Sequence, residues 1–157
     1  LMTAVAIEGG SPYRTCLTHG FVVDVDTREK ISKSAQGGYT KPTEAMHFVE
    51  KSGADLVRLW VSSVNFTDDV PFSEEMFNRL GDTYRRIRNT LRFLLGNLHD
   101  YEAGASAAPT AIDHWILARL ALVEATCREA YAAFEFHRVY HALNQFCAVD
   151  LSSLYVD

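Results

Sequence analysis

Apolar positions recur at helical spacing through the second half of the chain. From Phe77 through Leu80, Tyr84, Ile87, Leu91, Leu94 and Leu98 the steps alternate between three and four residues. Such steps return to one side of a helix and predict a buried seam. Ser73 precedes the seam as a cap, with Glu74 and Glu75 in the electropositive first turn. A second long helix is predicted from Ile112 or Asp113, with Ile116, Leu120, Val123, Cys127 and Tyr131 on one face. After a break at Phe134-Glu135-Phe136, a last helix carries Tyr140, Leu143, Cys147, Leu151 and Leu154. Together these segments predict an antiparallel helical bundle.

The first half is less periodic. Residues 1–10 read as the tail of a helix ending at Gly9-Gly10, and Arg14–Thr18 and Phe21–Val25 as short β-branched strands. Asp26–Glu29 is a polar turn. Lys30–Ser34 and Ala35–Gly38 lack any period and end in adjacent glycines, which predicts a loop able to move. Pro42 suits the first turn of a helix running to about Lys51, which Gly53 can terminate. A further helix over about Asp55 to Val64 offers Leu56, Leu59, Trp60 and Val64 to a core. Asn65–Phe72 reads as a connector, and Gly104–Pro109 as a small-residue linker between helices.

Composition narrows the function. Fifteen Lys and Arg against 20 Asp and Glu give a formal charge of −5, which excludes a polybasic nucleic-acid coat and leaves room for a local basic face. The three cysteines, Cys16, Cys127 and Cys147, form no Cys-x-x-Cys, so a zinc knuckle and a redox pair have no support; Cys127 and Cys147 read as buried free thiols, which suits a reducing cytoplasm. No apolar run approaches membrane-spanning length. The chain opens at Leu1 and stops at Asp157 inside an expected helix, as a piece of a longer protein would.

The candidate chemistry lies at Lys30-Ile31-Ser32-Lys33-Ser34. Two ammonium groups and two hydroxyls on a glycine-flanked loop suit a polyphosphate. Alone, the five residues read first as a solvated Lys/Ser turn, with the polyphosphate loop second. The Gly-x-x-x-x-Gly-Lys-Ser/Thr pattern of a P-loop is absent.

Other features carry less. Arg85, Arg88 and Arg92 share a helix stripe that suits phosphate contacts with a nucleic acid, or a solvated face with ion pairs. His137 and His141 have ligand spacing but no third ligand. Asp68-Asp69 reads as a solvated turn, and Trp60 and Trp115 as packing residues.

Leu17 to Val23 followed by Lys30 to Ser34 resembles the second signature, the KMSKS loop, of the class I aminoacyl-tRNA synthetases. The segments Gly53 to Val61, Tyr84 to Asn97, Glu135 to Val139 and Val149 to Ser153 resemble the isoleucyl branch of that family. The resemblance covers nearly the whole chain. It implies a mainly α fold: a short α/β tail of a Rossmann-type catalytic domain over residues 1–38, a helical connector over 39–72, and an incomplete anticodon-binding bundle over 73–157. It implies ligation of isoleucine to its tRNA through an isoleucyl-adenylate, with ATP and Mg2+ as reagents and a monomeric, cytoplasmic parent. Lys33 is then the leading ATP contact and a catalytic residue, with Lys30 assisting. Ser32 and Ser34 order the loop, and Gly20 allows close backbone approach to the nucleotide. Arg85, Arg88 and Arg92 are the tRNA-binding candidates. Zinc occurs in some members through cysteines beyond these residues, so no metal ligand is expected here. Ile31 replaces the usual Met, Ala35-Gln36-Gly37-Gly38 replaces the usual Leu-Gly-Asn, and no His-x-Gly-His is present. The alternatives are a valyl- or leucyl-type enzyme of the same class, or a non-catalytic tRNA-binding helical module.

Overall fold

The computed structural model describes residues 2–31, 44–102 and 108–156. Among them the fold is mainly helical: α1 Met2–Glu8, α2 Ala45–Ser52, α3 Ala54–Ser63, α4 Glu74–Asn97, α5 Ala111–Ala132 and α6 Phe136–Gln145. The last of these runs directly into a π-helix over Phe146–Tyr155. Two short strands, β1 Val22–Asp24 and β2 Val70–Phe72, pair in parallel with Val22 opposite Val70, Val23 opposite Pro71 and Asp24 opposite Phe72. A parallel pair needs a long crossover, and here α2 and α3 supply it.

The strand expected over Arg14–Thr18 does not form, and that stretch is exposed. An extended segment becomes a strand only where a partner satisfies its backbone, and none lies alongside it among the described residues. The second strand of the pair comes instead from the end of the expected connector. Three residues are too few to show alternation, and Pro71 in the middle masks the strand further.

Two apolar clusters hold the helices together. Leu56, Phe77 and Leu80 are buried, with Phe48, Trp60, Phe72, Tyr84 and Tyr140 packed around them. Phe72 meets Phe48 and Trp60 edge-on, with ring centroids 5.1 and 5.2 Å apart. Ile116, Phe146, Cys147 and Leu151 form the second cluster, flanked by Ile87, Leu94, Val123 and Tyr155. Helix α4 serves both: its first half packs on α3, its second on the π-helix, where the Thr90 hydroxyl donates to the Cys147 carbonyl at 3.3 Å.

The expected seams are therefore only partly covered. Phe77 and Leu80 are buried, but Leu91 and Leu98 are exposed, as are Leu120, Tyr131, Leu143 and Leu154 further along. Trp60 packs as expected, whereas Trp115 stays more than one-third exposed.

Local signals set the boundaries. The Ser73 hydroxyl accepts from the Met76 N–H at 3.1 Å and caps α4. Gly53, at φ +90°, separates α2 from α3, a conformation that a side chain would resist. The break between α5 and α6 is carried by Phe134 at φ +58°, with the Glu135 N–H reaching back to the Ala130 carbonyl at 2.8 Å.

Candidate functional site

The segment leading to the lysine motif is a hairpin built on one buried carboxylate. Asp24 Oδ1 accepts from the N–H groups of Asp26 at 2.9 Å and Thr27 at 3.1 Å. The Arg28 N–H donates to the Asp24 carbonyl, and the Asp24 N–H to the Glu29 carbonyl, both at 2.9 Å. Arg28 adopts φ +61° to close the turn. The returning arm then lies antiparallel to β1: Val23 bridges Lys30, and the Ile31 N–H donates to the Val22 carbonyl at 2.9 Å. The exposed Lys30 side chain reaches across the hairpin, its Nζ 3.8 Å from the centre of the Phe21 ring. An ammonium over an aromatic face is attracted by the ring quadrupole, by about 0.5–1 kcal/mol when solvated. Ser32, Lys33 and Ser34 lie outside the described residues.

Gly20 stands where two backbones meet. Its N–H donates to the Phe66 carbonyl at 2.8 Å, and a Cβ placed on it would fall 2.1 Å from the Asp68 carbonyl oxygen. On the side where a Cβ would project, the chain's own 66–69 segment occupies the space. Asp69 adds a tie, its Oδ1 accepting from the Phe21 N–H at 2.8 Å. Asn65 Nδ2 donates to Asp68 Oδ2 at 2.8 Å. The two aspartates thus do more than face water: Asp69 ties the connector to the residue before β1, and Asp68 braces the connector internally. His19 Nδ1 lies 2.7 Å from the Gly20 carbonyl. Beside it opens a cleft of about 620 Å³, lined by Leu17, Gly20, Trp60, Phe66 and Tyr131 among others. Its lining is mostly apolar, with the polar side chains of His19 and Ser62, and among the described residues it includes no Lys or Arg.

The arginine stripe divides. Arg85 pairs with Asp82 one turn back. Arg88 and Arg92, both exposed, line a shallow groove with Tyr84, Ile87, Leu91 and Leu95. Among the described residues neither has an ion pair. Of the three stripe arginines, Arg88 and Arg92 are thus the ones without an ion pair among the described residues.

Two polar arrangements escaped the sequence. Asp150, buried in the π-helix, accepts from Arg119 Nε at 3.1 Å and Nη2 at 3.0 Å. At the start of α5, Asp113 Oδ2 accepts from the Thr110 hydroxyl at 2.7 Å and the Thr110 N–H at 2.6 Å, while Oδ1 accepts from the Tyr155 hydroxyl at 2.7 Å. The Thr110 hydroxyl, then its N–H, then Tyr155 hold the Asp113 carboxyl down at about 2. Thr110-x-x-Asp113 has the spacing of a capping box and could have been found by that pattern. Among the described residues no three His, Cys, Asp or Glu side chains stand close enough together to hold a metal ion. No described helix is long and apolar enough to cross a membrane.

Comparison with known proteins bears on the whole chain. The profile described as "tRNA synthetases class I (I, L, M and V)" matches residues 1–73, and that of the "Anticodon-binding domain of tRNA ligase" matches residues 113–157. The chain belongs to the class I tRNA synthetases. Among curated relatives, it is 44% identical over 161 aligned positions to an isoleucine–tRNA ligase of Geobacter sulfurreducens, covering 100% of this chain and 17% of that protein. Isoleucine–tRNA ligases of Geobacillus thermodenitrificans, at 43%, and Xylella fastidiosa, at 41%, also align over 100% of this chain and cover 17% and 16% of those proteins. This class I synthetase segment thus spans about one-sixth of the length of the curated relatives it matches. Its synthetase profile ends at the Ser73 cap of α4, and its anticodon-domain profile begins in the first turn of α5.

Proposed function

We propose that this chain is part of an enzyme that ligates isoleucine to its tRNA with ATP. The single observation that carries the reading is the alignment of all of this chain, at 41–44% identity, with proteins named isoleucine–tRNA ligase. The exposed Lys30 at the exit of an ordered hairpin supports it.

In the proposed reaction a carboxylate oxygen of isoleucine attacks the α-phosphorus of ATP. The bond to the β-phosphate breaks and pyrophosphate leaves, giving isoleucyl-adenylate. Negative charge accumulates on the departing pyrophosphate. Lys33 and Lys30 stabilise that charge more in the transition state than in the ground state, while the hydroxyls of Ser32 and Ser34 order the segment. A terminal tRNA hydroxyl then attacks the isoleucyl carbonyl and AMP leaves. Mg2+ arrives with the triphosphate. Gly20, with no side chain, allows close backbone approach to the nucleotide.

Residues 1–38 are proposed as the end of the catalytic domain, 39–72 as a helical connector and 73–157 as part of the anticodon-binding bundle, with Arg85, Arg88 and Arg92 facing tRNA phosphates. A monomeric, cytoplasmic parent completes the reading. The free cysteines Cys16, Cys127 and Cys147 are compatible with a reducing compartment.

The test is isoleucine-dependent ATP–pyrophosphate exchange by the full-length polypeptide. Lys33→Ala and Lys30→Ala are each expected to slow it, Lys33→Ala by on the order of a hundredfold. Unchanged exchange in both would overturn the assignment of this segment to the triphosphate. The 157 residues alone are expected to bind tRNA weakly and ATP not measurably. Tight ATP binding by them would overturn the domain division.

A further inference from the structure

Asp24 is 2% exposed, although the stretch before it, from Ser11 to His19, is exposed throughout. Its backbone and side chain together close the turn that ends at Lys30. At least four hydrogen bonds converge on this one residue, among them two into Oδ1, one into its carbonyl and one from its N–H. The turn also forces Arg28 to φ +61°. Such a conformation costs on the order of 1 kcal/mol or more and persists only where the surroundings over-determine it. Asp26, Thr27, Arg28 and Glu29 belong to neither apolar cluster. What the turn fixes is the register of the returning arm, which places Lys30 opposite Val23 and its ammonium over Phe21.

We propose that Asp24 is a positioning residue for Lys30, acting through the two backbone N–H groups that its side-chain oxygen holds. The inference rests on the proposed role of Lys30 at the triphosphate. A carboxamide oxygen accepts the same two bonds, so asparagine can replace the carboxylate in this role, whereas alanine leaves the Asp26 and Thr27 N–H groups without their acceptor. Misplacing a charged group by about 1 Å lowers a rate by up to about a hundredfold.

The experiment compares Asp24→Ala, Asp24→Asn and Lys30→Ala in the full-length polypeptide, in two assays. One is isoleucine-dependent ATP–pyrophosphate exchange. The other is single-turnover transfer from preformed isoleucyl-adenylate to tRNA, a step that no longer involves the triphosphate. Asp24→Ala is expected to lower the exchange kcat about ten- to a hundredfold while transfer stays within about twofold, and Asp24→Asn to restore exchange to within a few fold of the parent. Equal loss in both assays would reduce Asp24 to a folding residue. Loss in Asp24→Asn as deep as in Asp24→Ala would show that charge, not the backbone bonds, is what matters. Either outcome, or unchanged exchange in Asp24→Ala, overturns the proposal. Lys30→Ala separates the two readings: full exchange without the lysine defeats its role at the triphosphate, while slowed exchange there with an unaffected Asp24→Ala defeats only the positioning inference.

Discussion

The Tyr155 hydroxyl donates to the Asp113 carboxylate at 2.7 Å, joining the last residue of the π-helix to the first turn of α5. The same carboxylate accepts from the hydroxyl and N–H of Thr110. One side chain therefore caps a helix and fastens the end of the bundle.

That arrangement sets an acid limit. The Asp113 carboxyl, ordinarily near 3.8, is held at about 2 in the folded chain. A depressed carboxyl stabilises the fold fully above its unfolded value and loses that contribution as pH falls through the folded one. The stabilisation is thus complete above about pH 4 and fades towards about pH 2. Thermal melts of Asp113→Asn and the parent are expected to differ at pH 6 and to converge as the pH approaches 2. A constant difference across that range would contradict the assignment.

Gly20→Ala is expected to destabilise the fold by about 1–3 kcal/mol, as overpacking against rigid groups does. The added carbon would meet backbone, the Asp68 carbonyl oxygen at 2.1 Å and the Asp69 nitrogen at 2.6 Å, so no flexible side chain can yield. Urea unfolding measures the cost, and amide exchange at Gly20 and Phe21 should rise as their bonds to Phe66 and Asp69 loosen.

Arg119→Met leaves the buried Asp150 carboxylate without its partner. The expected cost is about 3 kcal/mol, the low end for a broken buried pair, because the arginine keeps some contact with water. Adding Asp150→Asn should recover part of the loss in denaturant melts. A double variant no more stable than Arg119→Met would show that the pair is not coupled.

On α4, reversing Arg88 to Glu is expected to weaken tRNA binding and to lower the slope of log affinity against log salt by about one. Arg85→Glu should do less, since Asp82 already engages that guanidinium. Equal effects at the two positions would put Arg85 in contact with the nucleic acid as well.

Where the sequence was legible, the determinant was local. The Ser73 cap, the Gly53 break and the polar turn before Lys30 each depend on a few adjacent residues, and the described chain has them where expected. The parallel pairing of β1 with β2 depends on partners 48 positions apart, such as Val22 and Val70, and three-residue strands carry no readable period. The heptad-like steps in α4 were equally blind to which neighbour would arrive: Ile87 and Leu94 meet the π-helix cluster, while Leu91 between them does not. For the site, residue types flagged Lys30 and the arginines. Spacing could not show that Asp24 organises the lysine's approach, or that Asp82 has already claimed Arg85.

The final rung of the small sheet has a mechanical meaning. Asp24 lies opposite Phe72, the Val25 N–H donates to the Phe72 carbonyl at 3.2 Å, and the very next residue, Ser73, caps α4. The hairpin and the arginine-bearing rod therefore share a single hinge pin, and the rod takes its compass bearing from the same peptide that steadies the base of the lysine arm.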